Sequence, residues 1–208
     1  MSLIIEIHCF PTIDYFKILS SYSNVEFEVC ENFQKSSFRN RYVISGANGL
    51  VNLTVPISGG REQKNRIREI EIDYSEEWTM KHWRTLLSAY GNSPFFEYYA
   101  DALKQLLFSG EIRLLEFNMS LLKWLFKVLK FDMQYEWTTQ YRKDYPRLND
   151  YRNLLRPNDQ THSNLEWEPK YSQVFEERFG FQSNLSILDL LFNQGPRAEL
   201  LIKNSKIN

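Results

Sequence analysis

The chain has 208 residues, of which 43% are hydrophobic and 15% aromatic, and its formal net charge is −1. These values exclude a disordered chain and predict one domain over residues 1–208, with a core rich in aromatic side chains. The near-neutral charge argues against nucleic acid as a partner. Because no apolar run reaches the about 18 residues of a membrane span and no leader opens the chain, we expect a cytoplasmic protein without membrane insertion.

The N-terminal third predicts a sheet. Five runs of β-branched or alternating residues are typical of strands: residues 3–7, 25–30, 41–45, 50–57 and 67–72. Residues 12–22 have helical spacing with Thr12 as N-cap, so the first two strands should pair in parallel across that helix. The dipeptide Asn48-Gly49 predicts a hairpin between the next two strands.

The rest of the chain predicts helices interrupted by an irregular arm. Three helices are expected over residues 75–90, 94–110 and 111–130, the first capped by Ser75 and the second opened by Pro94. Residues 141–170 lack a period and predict an arm or a mobile lid, and residues 185–192 form a C-terminal helix. The predicted fold class is α/β: a mixed sheet of about five strands packed against a three-helix central region.

Residues 35–41 combine three cations with an amide and two hydroxyl groups between two predicted strands. Arginine can grip a phosphate or carboxylate with two parallel hydrogen bonds, which makes this loop a candidate anion site. A basic surface loop that balances the preceding acidic residues Glu26, Glu28 and Glu31 is an equally consistent interpretation.

Histidine and cysteine are scarce, so their positions carry weight. His8 follows the first strand, where open α/β sheets place ligands, although a histidine satisfied by local backbone fits as well. His82, next to Lys81 on a helix, is either a core histidine or a base. His162 is expected in solvent, and Cys9 and Cys30 are expected to be reduced and buried. No metal-ligand spacing or nucleotide-binding glycine motif is present, so no cofactor is expected.

Several stretches resemble the WbqC-like family of bacterial proteins. They are residues 35–41, 53–57, 78–86, 89–90, 94–96 and 185–196. The chain departs from that family's Gln-Pro-x-Tyr-x-Pro pattern at residues 8–11, and residues 141–170 lack its glycine-rich element. The resemblance implies a place among proteins of O-antigen and other surface-polysaccharide biosynthesis, some of which have been proposed to attach glycine to an amino sugar.

On this basis we hypothesise a transferase that acylates, by glycyl transfer, an amino sugar on a nucleotide-linked donor. Its partners would be that nucleotide sugar and an unidentified acyl donor. The alternative is a non-catalytic module that binds a ligand or protein of the same pathway. The candidate catalytic residues are His82, His8 and Asp189, and the candidate ligand-binding residues are Lys35, Arg39, Asn40, Arg41, Lys81, Tyr90 and Asn193.

A specific geometry follows from these assignments. Lys35, Arg39 and Arg41 should converge on one cleft at the carboxyl ends of the first two strands, with His8 at its edge. The helix with Lys81 and His82 should form the facing wall. The C-terminal helix should bring Asp189 or Asn193 within reach of the two arginines.

Overall fold

A computed structural model describes residues 2–60, 62–157 and 171–204 of the chain. The strands are β1 (Ser2–Glu6), β2 (Asn24–Glu28), β3 (Arg41–Gly46), β4 (Gly49–Thr54), β5 (Gln134–Trp137) and β6 (Asn149–Asp150). The helices are α1 (Ile13–Ser20), α2 (Trp78–Tyr90), α3 (Phe96–Leu107), α4 (Leu114–Val128), α5 (Glu176–Phe179), α6 (Ile187–Gln194) and α7 (Arg197–Asn204). None of these helices is long and apolar enough to cross a lipid bilayer.

The chain opens with a strand–helix–strand unit, as predicted. Thr12 caps α1 by accepting a hydrogen bond from the backbone N–H of Tyr15, and β1 and β2 pair in parallel from Ser2 opposite Asn24. Apolar residues from both strands and from α1 are fully buried, because a parallel sheet crossed by a helix excludes water from the face between them. The predicted α/β fold class is confirmed.

The parallel sheet has the order β5-β2-β1-β6, and every pairing in it is parallel. Its two outer strands come from residues far along the chain, so the prediction that the first seventy residues build the sheet is wrong in this detail. Because all four strands run the same way, their carboxyl ends share one edge. The residues that follow these strands therefore meet there.

Strands β3 and β4 form a separate antiparallel hairpin, which confirms the predicted turn. Gly46 pairs with Gly49, and Gly49 has φ of 108°, a value that glycine adopts without a steric penalty. The predicted strand over 67–72 is instead a 3₁₀ turn, Ile67–Glu69, followed by an isolated bridge from Ile72 to Ile57. The buried side chains three residues apart there, Ile67 and Ile70, fit a tight helical turn as well as a strand.

The three central helices exist, but each begins two or three residues later than predicted. Ser75 does not cap α2; its backbone N–H is taken by the Asp73 carboxylate in a turn that precedes the helix. Likewise α3 begins after Phe95, whose backbone N–H donates to the carbonyl of Phe192. At the C-terminus, Ser186 caps α6, and α7 follows it unpredicted.

The predicted irregular arm is partly a sheet strand. Within residues 141–157, β6 adds to the edge of β1, and the remainder is held by side-chain contacts. Residues 158–170, including His162, lie outside the described residues.

Candidate functional site

Charged and polar side chains lie close together at the shared carboxyl edge of the parallel sheet. We call this group the edge cluster; its members are Glu6, His8, Glu28, Glu31, Arg39, Arg152 and Asn153. Glu6 and Glu28 are the last residues of β1 and β2, whereas Asn153 comes from the arm just after β6. The sheet topology therefore joins residues that are more than a hundred positions apart in the sequence.

Arg39 is the centre of the edge cluster and is only 1% exposed. Its Nε and Nη2 each donate to a carboxylate oxygen of Glu31 at 2.6 Å, a two-pronged ion pair. Nη2 also donates to Oδ1 of Asn153 at 2.9 Å, and Nη1 lies 3.5 Å from Oε1 of Glu6. One guanidinium therefore holds together the loop after β2, the end of β1 and the arm.

Glu6 stays ionised in the edge cluster because hydrogen bonds and the nearby charge of Arg39 compensate its burial. His8 donates from Nε2 to its Oε1 at 3.1 Å, and the backbone N–H of Asn153 donates to its Oε2 at 3.0 Å. Burial opposes ionisation, but the charge of Arg39 and these hydrogen bonds outweigh it and lower the pKa of Glu6 to about 2. Burial also lowers the pKa of His8, so its imidazole is neutral at physiological pH.

Glu31 behaves in the opposite way. Burial, with repulsion from Glu6 and Glu28, outweighs its ion pair with Arg39 and raises its pKa to about 7. Repulsion adds to burial because, among the described residues, the carboxylates outnumber the cations with which they pair: Glu6, Glu28, Glu31 and Asp150 share Arg39 and Arg152. The edge cluster therefore takes up a proton near neutral pH, and it does so at Glu31.

Glu28 and Arg152 fasten the arm to the sheet edge. Glu28 accepts hydrogen bonds from the backbone of Cys30, from the hydroxyl of Thr138 and from Nη1 of Arg152. Arg152 also pairs with Asp150, and its guanidinium lies over two tyrosine rings of the arm. The arm is therefore attached through a charge that is itself part of the edge cluster.

A cavity of about 310 Å³ opens beside this network, and we call it the edge cavity. Its walls are Cys30, Glu31, Asn32, Gln34, Arg66, Tyr141, Arg152 and Asn153. Within the described residues the guanidinium of Arg66 has no hydrogen bond or ion pair, so it is available to an anionic ligand. Across the same residues, no three histidine, cysteine, aspartate or glutamate side chains are grouped so as to hold a metal ion.

The cations of residues 35–41 do not converge on one cleft. Lys35 lies at the surface in an ion pair with Glu62, whereas Arg39 is enclosed in the edge cluster. Asn40 donates its side-chain amide to the carbonyl of Val55 and so fixes the loop to the residue that follows β4. Arg41, at the start of β3, has a buried Nε without a hydrogen-bond partner in the described part of the chain. Arg39 and Asn40 of this loop therefore make contacts inside the protein, and the role of the loop in ligand binding stays a prediction.

His8 lies at the predicted edge, but it is fully buried and is not part of the edge cavity wall. His82 packs against Trp78 with its Nδ1 3.1 Å from the hydroxyl of Tyr42, and burial lowers its pKa to about 4. Lys81 is exposed beside it on α2 and does not reach the edge cavity. A catalytic role for either histidine stays a prediction.

Asp189 belongs to a second buried group, which we call the α6 cluster: Asp189, Tyr90, Tyr171 and Gln173. Its carboxylate accepts from Tyr90 at 2.8 Å, from Tyr171 at 2.6 Å and from Gln173 at 3.1 Å. Asn193 bonds to the backbone of Asp189. The expectation that Asp189 or Asn193 reaches Arg39 or Arg41 is wrong, because α6 turns these groups toward α2 and residues 171–173.

Sequence reasoning missed several residues of this site, namely Glu31, Arg66, Thr138, Arg152 and Asn153. A signal was present for the first, because Glu26 and Glu28 alternate along a predicted strand and Glu31 directly follows that strand. Nothing in the sequence indicated that residues near 150 would pair with the first strand.

The model of the WbqC-like protein family matches residues 8–163 of this chain. The chain belongs to the WbqC-like protein family. The matched residues include Glu31, Arg39 and Asn153, and therefore nearly all of the edge cluster, whereas the C-terminal stretch 185–196 lies beyond the WbqC-like match. No curated protein and no solved structure matches the chain.

Proposed function

We propose that this WbqC-like protein is a transferase of surface-polysaccharide biosynthesis that acylates the amino group of a nucleotide-linked sugar at the edge cavity. The observation that carries the proposal is Glu31, a carboxylate in the cavity wall with a pKa of about 7. A general base works best when its pKa lies near the working pH, because it is then both available and strong enough to take a proton.

The chemistry assigned to the edge cavity is nucleophilic attack of the sugar amine on an acyl carbonyl carbon. The new C–N bond forms as the bond from that carbon to the donor's leaving group breaks. Glu31 takes the proton that the nitrogen loses and returns it to the leaving group. Arg66, whose guanidinium has no partner among the described residues, is suited to hold a phosphate of the nucleotide. Arg39 fixes the orientation of Glu31 through its two hydrogen bonds.

Mass spectrometry of reactions between nucleotide-linked amino sugars and activated acyl donors tests this proposal. The wild type should add one acyl group, and Glu31→Gln should lower turnover by about 10²-fold or more while nucleotide-sugar binding is retained. Glu97→Gln, an exposed carboxylate on α3, is the matched control and should leave turnover unchanged. Full activity in Glu31→Gln would refute the assignment of the base.

A non-catalytic binding module is the second candidate, and the burial of His82 and Asp189 favours it. Both side chains are 2% exposed or less and have hydrogen-bond partners inside the protein, so neither adds a reactive group to a cavity. In that case nucleotide sugars would bind the wild type and raise its Tm without any acyl transfer, whichever donor is supplied.

A further inference from the structure

A second cavity, of about 620 Å³, is lined by a different set of residues from the edge cavity. One wall is formed by β2 and β5 and the other by residues 138–148. We call it the sheet cavity. Glu31 and Arg66 are not part of its wall, so a ligand there would have its own set of contacts.

The sheet wall carries two carboxylates side by side. Glu26 and Glu136 are register partners in the parallel pairing of β2 and β5, so their backbones are about 4.8 Å apart. Val25 and Phe27, which flank Glu26, face the core, so Glu26 lies on the opposite, open face of the sheet. Its register partner Glu136 lies on the same face. Like charges that face each other across neighbouring strands destabilise a sheet. The sheet alone therefore gives no reason for this pair.

Neither carboxylate has a counter-ion in the described part of the chain. Within the described residues, Glu26 and Glu136 have no ion pair and no side-chain hydrogen bond. The arm wall carries Arg142 and Arg147, and among the described residues neither has an ion pair. The side-chain oxygen of Gln140 accepts from Arg142 once that amide is turned over to the orientation its neighbours require. If the charges served only to balance one another, they would be in contact. The cavity separates them instead.

From this arrangement we infer that the sheet cavity binds a small zwitterionic ligand. Its ammonium group would lie between Glu26 and Glu136, and its phosphate or carboxylate would lie against Arg147. A divalent cation fits less well, because within the described residues no third carboxylate, histidine or cysteine joins the two glutamates. The rest of the wall is mostly polar, with Thr139 and Gln140, which suits a ligand rich in hydroxyl groups. This inference does not depend on the chemistry proposed for Glu31.

Three matched probes test the charge pattern by thermal shift and calorimetry: glucosamine 6-phosphate, glucosamine and glucose 6-phosphate. The zwitterionic probe should raise the Tm by about 4 °C at about ten times its Kd. Each probe that has only one of the two charged groups should bind at least about tenfold more weakly, since one charged contact is lost. No shift with glucosamine 6-phosphate, an equal shift with glucose 6-phosphate, or a larger shift with Mg²⁺ or Ca²⁺ alone would overturn the inference.

Variants locate the binding. Glu26→Gln and Glu136→Gln remove the repulsion within the pair, so the Tm without ligand should hold or rise while the ligand-induced shift is lost. The same loss is expected for Arg147→Gln. Glu97→Gln and Arg84→Gln, exposed on α3 and α2, are the controls and should keep the shift. Glu31→Gln should keep it as well; if this variant abolishes binding while Glu26→Gln does not, the ligand occupies the edge cavity and the inference fails.

Discussion

The protein buries carboxylates in two places and treats them differently. In the α6 cluster, one carboxylate, Asp189, accepts hydrogen bonds from two tyrosines and a glutamine, all neutral, and it has no charged partner among the residues that the structure describes. In the edge cluster, three carboxylates share two arginines, and the hydrogen bonds are divided unequally among them. In the α6 cluster both carboxylate oxygens of Asp189 accept hydrogen bonds and the group is buried, whereas the edge cluster lies beside a cavity.

Comparing the two clusters separates the effect of burial on a carboxylate's pKa from the effect of an unbalanced charge. Burial raises the pKa of both Asp189 and Glu31. Only Glu31 faces a cavity that a ligand can enter, and only Glu31 belongs to a group with an excess charge. A buried carboxylate is thus a structural element in one region and a candidate for proton transfer in the other.

The largest expected effect comes from removing the cation of the edge cluster. Arg39→Met leaves Glu6 and Glu31 buried without their counter-ion and should lower the free energy of unfolding by about 3–5 kcal/mol. Urea unfolding at neutral pH measures this. Lys35→Met, in the same loop but in an exposed ion pair, is the control and should cost less than about 1 kcal/mol. Equal losses in the two variants would show that Arg39 does not hold the edge cluster together.

The next effect is the contribution of Glu31 to the pH dependence of stability. Its pKa is raised from 4.5 to about 7, so its favourable contribution is complete below pH 4.5 and is lost as pH rises through 7. That shift corresponds to about 3 kcal/mol. The stability of Glu31→Gln relative to the wild type should therefore rise by about this amount between pH 4.5 and 7.

Urea unfolding of both proteins at several pH values measures this difference. The titrations of His82 and Asp189 occur in both proteins and cancel in the comparison. A difference that stays constant across the window would show that Glu31 titrates at its ordinary pKa.

Asp189→Asn tests the α6 cluster and should have a smaller effect. The amide keeps one acceptor oxygen but cannot accept from both tyrosines and the glutamine, so the free energy of unfolding should fall by about 2 kcal/mol. Ligand binding at the edge cavity and any turnover should be unchanged, because Asp189 contacts neither the edge cluster nor its cavity. A loss of turnover without a loss of stability would contradict the structural role.

The smallest effect concerns the backbone of Asn153. Its φ is 61°, in the left-handed region, while its side chain accepts from Arg39. Asn153→Ala and Asn153→Gly both remove the acceptor, but only alanine keeps the steric penalty of that conformation. The alanine variant should therefore be the less stable by about 1 kcal/mol in thermal unfolding. Equal stabilities would mean that the arm relaxes once the side-chain contact is lost.

Local patterns predicted much of the fold. The strand–helix–strand opening, the hairpin at Asn48-Gly49 and the end of α6 at Gly195 follow from alternation, capping and turn residues, which act over a few positions. Strand β6 has two residues and no β-branched side chain, so it has no signal of its own. It forms because the backbone of β1 has an unpaired edge with which these two residues can pair.

The sequence by itself determined which residue types were available: cations in residues 35–41, glutamates near the end of β2 and a histidine after β1. Only the tertiary structure decided that Arg39 points inward while Lys35 stays at the surface, and that Asn153 completes the network. The physical reason is that periodicity reports burial along one element, whereas a charge is buried only where distant chain segments supply its partners. In this protein those segments meet at the edge that four parallel strands share.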